Sequence, residues 1–245
     1  MEPGPEPDDA DAVLNADIPL LASGTRVRAV LFDLDGTLLD TAPDMVAALN
    51  VLRQQEGLPL LSYPQVRPFV SHGATALVRQ GFPTADGILF EKLRRRFLTI
   101  YAGALAVESR PYEGVLEALA YLESIAIPWG IVTNKPEGLA GPLLEHLELR
   151  SRAAVVVCGD TVPERKPHPL PLLHAAARLG VDPTESVYVG DAERDVLAAQ
   201  AAGMRAYVAL YGYIPMDERP HEWPASGWIE RSQGLALWLQ SIVDA

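Results

Sequence analysis

The feature that most constrains the fold is an alternation of short apolar runs with longer amphipathic segments, which begins at Arg26. Strands that alternate with helices in this way form a parallel sheet with helices on both faces. We therefore expect an α/β fold with a Rossmann-like, doubly wound parallel sheet. The candidate strands are residues 27–32, 129–132, 153–157, 186–189 and 205–210.

Polar residues follow each of the first four candidate strands, with the sequences DLDGT, TNK, CGD and GDAERD. In an open parallel sheet, ligands bind beyond the carboxyl ends of the strands. We therefore expect these four polar clusters to meet in one crevice.

A long insertion separates the first two candidate strands, since nearly a hundred residues lie between them. A single crossover connection needs only a dozen or so. The apolar periodicity predicts helices at 43–56, after a Thr41-Ala-Pro-Asp44 segment similar to a capping box, and at 86–107. We predict a helical cap at residues 44–110 and a core formed by residues 26–43 and 111–245, with a helix at 112–126 leading back to the sheet.

The first 25 residues differ in composition, because they contain six acids and no lysine or arginine. They provide half of the net charge of −12. A secretory signal begins with basic residues, so this segment is instead typical of a disordered acidic tail, or of an extension from a misassigned start codon.

The rest of the composition indicates a cytoplasmic protein that acts on small molecules. The acidic balance disfavours nucleic acid as a partner, and no apolar run approaches the length of a membrane span. Cys158 is the only cysteine, which excludes an intrachain disulfide and favours a packing role for its thiol. We expect a monomer or a homodimer.

Four polar motifs occur in a fixed order along the candidate strands, and together they resemble the haloacid dehalogenase (HAD) superfamily of aspartyl-nucleophile phosphatases. The resemblance extends from about Val27 to the C terminus. A lone DxD pair before a glycine is equally typical of a turn, so the order of all four motifs supports the interpretation. The motifs are Asp33-x-Asp35-Gly36-Thr37, Thr133-Asn134, Lys166 and Gly190-Asp191-x-x-x-Asp195.

The resemblance implies a role for each acid. Asp33 would be the nucleophile, and Asp35 the general acid and base. Two carboxylates about 4 Å apart repel by roughly 4 kcal/mol at an effective dielectric of about 20, and Mg²⁺ would remove that repulsion. Its ligands would be Asp33, the backbone carbonyl of Asp35 and Asp191, with support from Asp195. Asp195 could instead be an early-helix acid that the helix dipole favours.

Other motif residues would bind the phosphoryl group. Lys166 would supply a fixed positive charge, although a lone lysine is usually a solvated loop residue. Thr133 would offer a hydroxyl, a role compatible with capping the next helix. The predicted phosphate-binding residues are Gly36, Thr37, Thr133, Asn134 and Lys166.

The cap is expected to select the substrate. Ser71, His72 and Gly73 form a small polar break that would approach the leaving group, where His72 or Arg79 could meet a carboxylate or a sugar hydroxyl. An ordinary helix junction is the alternative. The basic run Arg94–Arg96 is expected to be a solvated helix face.

The segments VTNKP, RKPHP and YGY are similar to the phosphoglycolate phosphatase-type branch of the superfamily. The segments PWG and YGYI are similar to its subgroup that acts on N-acetylmuramic acid 6-phosphate in cell-wall recycling. The last motif, GDAERD, departs from the commoner sequences GDSRND and GDDxRD but keeps both aspartates. The resemblance therefore implies a Mg²⁺-dependent phosphatase for 2-phosphoglycolate or N-acetylmuramate 6-phosphate. The alternatives are a sugar phosphomutase and a non-catalytic binding or regulatory protein.

Overall fold

The computed structural model describes residues 26–243, and the predicted acidic tail lies outside them. The described strands are β1 (Ala29–Phe32), β2 (Leu39–Asp40), β3 (Arg110–Pro111), β4 (Trp129–Val132), β5 (Val155–Val157), β6 (Ser186–Gly190), β7 (Arg205–Ala209) and β8 (Gly227–Ile229). The described α-helices are α1 (Ala42–Gln55), α2 (Tyr63–Val66), α3 (Gly73–Gly81), α4 (Gly87–Ala102), α5 (Val115–Ser124), α6 (Glu137–His146), α7 (Leu170–Leu179), α8 (Glu193–Ala201) and α9 (Leu235–Val243).

Six strands form one parallel sheet in the order β5-β4-β1-β6-β7-β8. All five predicted strands are present, with ends that differ by up to two residues. The edge strand β8 was not predicted, because its three residues include a glycine and the exposed Trp228 and form no apolar run. Phe32 pairs with Ile131 on one side and Val189 on the other. The polar residues that follow β1, β4 and β6 therefore lie side by side at the carboxyl ends of three neighbouring strands.

Helices cover both faces of the sheet, which confirms the predicted α/β, doubly wound class. Side chains alternate along β1, so that Val30 and Phe32 pack with α5, α6 and α9 on one face. Leu31 packs with α7 and α8 on the other face. Burial of both faces explains why the central strands are apolar without interruption.

The insertion between β2 and β3 contains α1 to α4, whose apolar side chains form a cluster of their own. The antiparallel pair β2 and β3 forms both connections to the core. The helix predicted at 86–107 ends at Ala102, because the next residues turn back toward α1. There the Asp44 carboxylate accepts hydrogen bonds from the backbone amides of residues 107–109, at 2.8 to 3.1 Å.

Two local predictions were wrong. The Thr41 side chain makes no capping hydrogen bond at the start of α1, because its hydroxyl donates to Asp35 instead. The helix predicted at 112–126 begins only at Val115, after Gly114 with a φ of +84°. None of the helices in residues 26–243 is long and apolar enough to cross a membrane.

Candidate active site

Asp33 directly follows the central strand β1 and is almost completely buried. Its Oδ1 accepts a hydrogen bond from the backbone N–H of Leu34 at 2.7 Å and lies 3.0 Å from Lys166 Nζ. Burial raises the pKa of this carboxyl group, and the Lys166 ammonium opposes that rise. The Asp33 side chain is thus held in one orientation at the carboxyl end of the central strand.

Lys166 lies between Asp33 and Asp195 and has no exposed side-chain surface. Its ammonium group contacts Asp33 at 3.0 Å and Asp195 at 2.8 Å, and it donates to the Tyr188 hydroxyl at 2.7 Å. Tyr188 in turn donates to a backbone carbonyl of β4 at 2.7 Å. A solvated position for Lys166, the alternative from the sequence, is therefore wrong.

Asp33, Asp191 and Asp195 form a buried cluster in which one carboxylate oxygen of each lies within 4.8 Å of the others. Burial and the charges of Asp33 and Asp195 raise the pKa of Asp191 to about 7. Its Oδ2 accepts hydrogen bonds from Ser71 Oγ at 2.6 Å and from Tyr213 N at 2.8 Å.

A divalent cation fits this cluster. Asp191 Oδ1 is buried and has no hydrogen-bond partner, and such an atom is costly unless a ligand occupies it. The donors are all hard carboxylate oxygens, which Mg²⁺ prefers. Asp195 does belong to the first turn of α8, as the alternative stated, and it also contacts Lys166.

Gly36 has a φ of +84°, and a Cβ at this position would lie 2.0 Å from Asp191 Oδ2. The glycine was predicted to let the backbone approach phosphate. In this structure, the side chain it leaves room for is that of Asp191. The hydroxyl of the adjacent Thr37 is buried without a hydrogen-bond partner.

Asp35 does not belong to the carboxylate cluster. Its Oδ1 accepts from Thr41 Oγ1 at 2.6 Å, and Lys135 Nζ donates to Oδ1 and Oδ2 at 2.9 and 3.1 Å. Lys135 was missing from the predicted site, although it directly follows the TN motif at the end of β4. Its ammonium also donates to the hydroxyl of Tyr101, a residue of the cap, at 3.0 Å.

Asn134 holds the backbone of Lys166 through two hydrogen bonds. Its Nδ2 donates to the carbonyl of Lys166 and its Oδ1 accepts from the N–H of Lys166, both at 3.0 Å. The amide group thereby fixes the loop that carries the buried ammonium. The Thr133 hydroxyl accepts from the N–H of Lys135 at 3.2 Å.

A cavity of about 330 Å³ lies between the core and the cap. Asp33, Asp35, Thr133 and Asn134 line it from the core. Ser71, His72 and Gly73 line it from the cap, together with Arg94. The structure therefore brings the predicted residues of both units to one space, and Arg94, which was expected on a solvated helix face, also lines it.

Two cap side chains also contact residues beyond the cavity. His72 Nε2 lies 3.4 Å from Glu218 Oε1, although burial and Arg194 lower the pKa of the imidazole. Arg79 does not line the cavity: its guanidinium lies over the Phe90 ring, 4.8 Å from the centroid. The structure thus gives Arg79 a packing contact within the cap.

Tyr213, from the YGY segment, connects the carboxylate cluster to the cap. Besides its backbone bond to Asp191, its hydroxyl accepts from the N–H groups of Thr41 and Ala42 at 2.6 and 2.9 Å and donates to Asp40 at 2.7 Å. No role was predicted for this side chain, because the partners of its hydroxyl are about 170 residues away in the sequence.

The buried carboxylate of Asp33, the ammonium of Lys166 and a carboxylate cluster that suits a divalent cation thus lie together beyond the carboxyl ends of β1 and β6. The profile of the haloacid dehalogenase-like hydrolase family matches residues 30–209. The chain belongs to this family.

Two curated relatives cover most of the chain. It is 49% identical over 216 residues to a phosphoglycolate phosphatase of Xanthomonas campestris, and the match covers 87% of this chain and 98% of the relative. It is 42% identical over 211 residues to an N-acetylmuramic acid 6-phosphate phosphatase of Pseudomonas aeruginosa, and the match covers 86% of this chain and 93% of the relative.

A solved structure agrees with the fold over most of its length. The crystal structure of a predicted phosphoglycolate phosphatase from Haemophilus somnus has a TM-score of 0.78 and is 26% identical. The match covers 87% of this chain and 98% of that one.

Proposed function

We propose that this protein hydrolyses a small phosphomonoester with Mg²⁺, through a phosphoryl intermediate on Asp33. The chain is a phosphoric monoester hydrolase of the HAD family, as the family match and its phosphatase relatives indicate. The observation that best supports the mechanism is the environment of Asp33. Its carboxylate is buried, oriented by Leu34 and Lys166, and open to the cavity.

In the proposed reaction, a carboxylate oxygen of Asp33 attacks phosphorus and the bond from phosphorus to the leaving oxygen breaks. Asp35 donates a proton to that leaving oxygen. Asp35 then accepts a proton from the water that attacks phosphorus, which releases phosphate and restores Asp33. Thr41 orients the Asp35 carboxylate for both steps.

Positive charge stabilises the transferring group. The Lys166 ammonium contacts Asp33 at 3.0 Å. We propose Asp33, the backbone carbonyl of Asp35 and Asp191 as Mg²⁺ ligands, with Asp195 in support. When bound, Mg²⁺ neutralises negative charge on the phosphoryl oxygens and on the acids. The other proposed phosphate-binding residues are Gly36, Thr37, Thr133 and Asn134.

The candidate substrates are 2-phosphoglycolate and N-acetylmuramate 6-phosphate, since relatives of this chain are named after both. The cavity of about 330 Å³ is near the lower end of the range for ligand pockets, roughly 300 to 1,000 Å³. This volume supports a small substrate. Ser71, His72 and Gly73 are the proposed specificity residues of the cap.

The test is phosphate release from a panel of phosphomonoesters with and without Mg²⁺, including both candidates. We expect Mg²⁺-dependent release that is abolished by Asp33→Asn. Asp86→Asn is a matched control, because Asp86 is exposed and makes no side-chain capping bond. Full activity of Asp33→Asn would contradict the mechanism. Conversion of a sugar phosphate to an isomer without net phosphate release would indicate a phosphomutase.

A further inference from the structure

The side chain of Lys135 is the least expected feature of the cavity. The residue is 7% exposed and lines the cavity next to Asp35. Its three N–H donors have three acceptors, which are both oxygens of Asp35 and the hydroxyl of Tyr101. Burial lowers the pKa of this lysine, but Asp35 and Tyr101 more than offset the effect, so it is a permanent cation.

The proposed reaction removes part of this arrangement. While Asp35 carries the proton that it transfers to the leaving oxygen, its carboxyl group is neutral and does not compensate the charge of Lys135. Lys135 then lacks an anionic partner while it stays buried, and a buried charge without compensation is unfavourable. A negatively charged group of the substrate would supply the missing counter-charge.

The other cations that line the cavity are engaged elsewhere. Arg94 forms hydrogen bonds with the Glu91 carboxylate at 3.0 to 3.4 Å. Arg165 donates through Nε to a backbone carbonyl at 2.6 Å, and Arg194 donates to the carbonyl of Ser71 at 2.7 Å. Lys135 is thus the cavity cation that contacts the proposed general acid.

We propose that Lys135, supported by Tyr101, is a specificity residue that binds a substrate carboxylate close to the phosphate ester. The inference rests on the phosphatase function proposed above and adds which substrates that site prefers. The substrate carboxylate replaces Asp35 as the partner of Lys135, and Asp35 becomes free to act on the ester oxygen. Substrates without that carboxylate leave the Lys135 ammonium without an anionic partner while Asp35 is protonated.

The position of Lys135 distinguishes a near carboxylate from a remote one. Asp35 must reach the ester oxygen, and Lys135 lies 2.9 Å from Asp35. In 2-phosphoglycolate one methylene separates the ester oxygen from the carboxylate, so both groups fit beside the pair. In N-acetylmuramate 6-phosphate the carboxylate belongs to the lactyl group on the far side of the sugar ring. We therefore expect Lys135 to favour the first kind of substrate.

The experiment measures kcat/KM for two matched pairs of substrates. The near pair is 2-phosphoglycolate and 2-hydroxyethyl phosphate, which has a neutral alcohol in place of the carboxylate. The remote pair is N-acetylmuramate 6-phosphate and N-acetylglucosamine 6-phosphate, which lacks the lactyl group. The proteins are the unmodified chain, Lys135→Met, Lys135→Arg and Lys92→Met as a control at an exposed position of α4.

We expect Lys135→Met to reduce the preference for 2-phosphoglycolate over 2-hydroxyethyl phosphate by roughly 10- to 100-fold, the range of a charge-assisted hydrogen bond. Lys135→Arg should restore part of that preference, and Lys92→Met should leave it unchanged. The preference within the remote pair should not change. An equal loss for both members of the near pair would overturn the proposal, because Lys135 would then only position Asp35. A change confined to the remote pair would also overturn it.

Binding without turnover separates this proposal from the proposed function. Calorimetry would compare 3-phosphonopropionate, in which carbon replaces the ester oxygen of 2-phosphoglycolate, with propylphosphonate, which has a methyl group in place of the carboxylate. A preference for 3-phosphonopropionate that Lys135→Met removes supports the carboxylate site even if no substrate is hydrolysed. Equal binding of the two phosphonates to the unmodified chain overturns the carboxylate site and leaves the phosphatase function standing.

Discussion

Replacement of Lys166 by methionine tests how the charges of the site are balanced. Lys166 is fully buried and is the cation that joins Asp33 to Asp195. Removal of one partner from a buried ion pair costs about 3 to 5 kcal/mol, because the other charge stays buried without compensation. In a domain of this size, each kcal/mol lowers the melting temperature by about 2 to 4 °C. We therefore expect Lys166→Met to lower it by roughly 10 °C in the presence of EDTA.

Addition of Mg²⁺ gives the second half of this test. A cation held by the three carboxylates would replace much of the lost positive charge, so the difference from the unmodified chain should become smaller as Mg²⁺ saturates. The assay is thermal and urea unfolding followed by circular dichroism, at pH 8, with EDTA or Mg²⁺. The control Lys92→Met should stay within about 0.5 kcal/mol of the unmodified chain. If Lys166→Met in EDTA unfolded at the same temperature as the unmodified chain, the charge argument would be refuted.

Three further predictions concern the same region. Gly36→Ala should weaken Mg²⁺ binding and lower kcat/KM at least about 100-fold, because the new Cβ would collide with Asp191. In the control Gly138→Ala the new Cβ meets no atom within 4 Å, so this variant should bind Mg²⁺ normally in calorimetry. The pKa of about 7 for Asp191 means that a proton competes with the metal below that pH, so the dissociation constant for Mg²⁺ should be roughly tenfold larger at pH 6 than at pH 8; a constant value would contradict the assigned ligand. Tyr213→Phe should lower the free energy of unfolding by about 1 to 3 kcal/mol in urea titrations, because the backbone N–H groups of residues 41 and 42 lose a buried acceptor; an unchanged value would show that water replaces the hydroxyl.

The sequence was sufficient for the sheet and for the main acids, because both depend on local patterns. Buried central strands are continuous apolar runs, and the residues that follow them must lie at one edge of a parallel sheet. Asp33 and Asp191 are adjacent to strand ends and meet there for that reason. The helical content of the insertion was also evident from its periodicity.

Contacts between distant segments could not be predicted in the same way. The Ser71 hydroxyl reaches Asp191 across 120 residues, and Lys135 reaches Asp35 across 100. Such pairs depend on how the cap packs on the core, which no short pattern specifies. The position of Lys135 after TN at the end of β4 was the one local signal that could have identified it. Arg79 shows the converse, because a charge near the polar break packs on Phe90 instead.

The most direct test of the mechanism is to locate the phosphoryl group during turnover. The enzyme would be mixed with its best substrate and Mg²⁺, quenched in acid within milliseconds and digested, and the peptides would be mapped by mass spectrometry. The mechanism predicts an acid-stable phosphoryl group on Asp33 that disappears as the substrate is consumed and is absent from Asp33→Asn. Phosphate release at the full rate with no phosphorylated Asp33 at any time would contradict it.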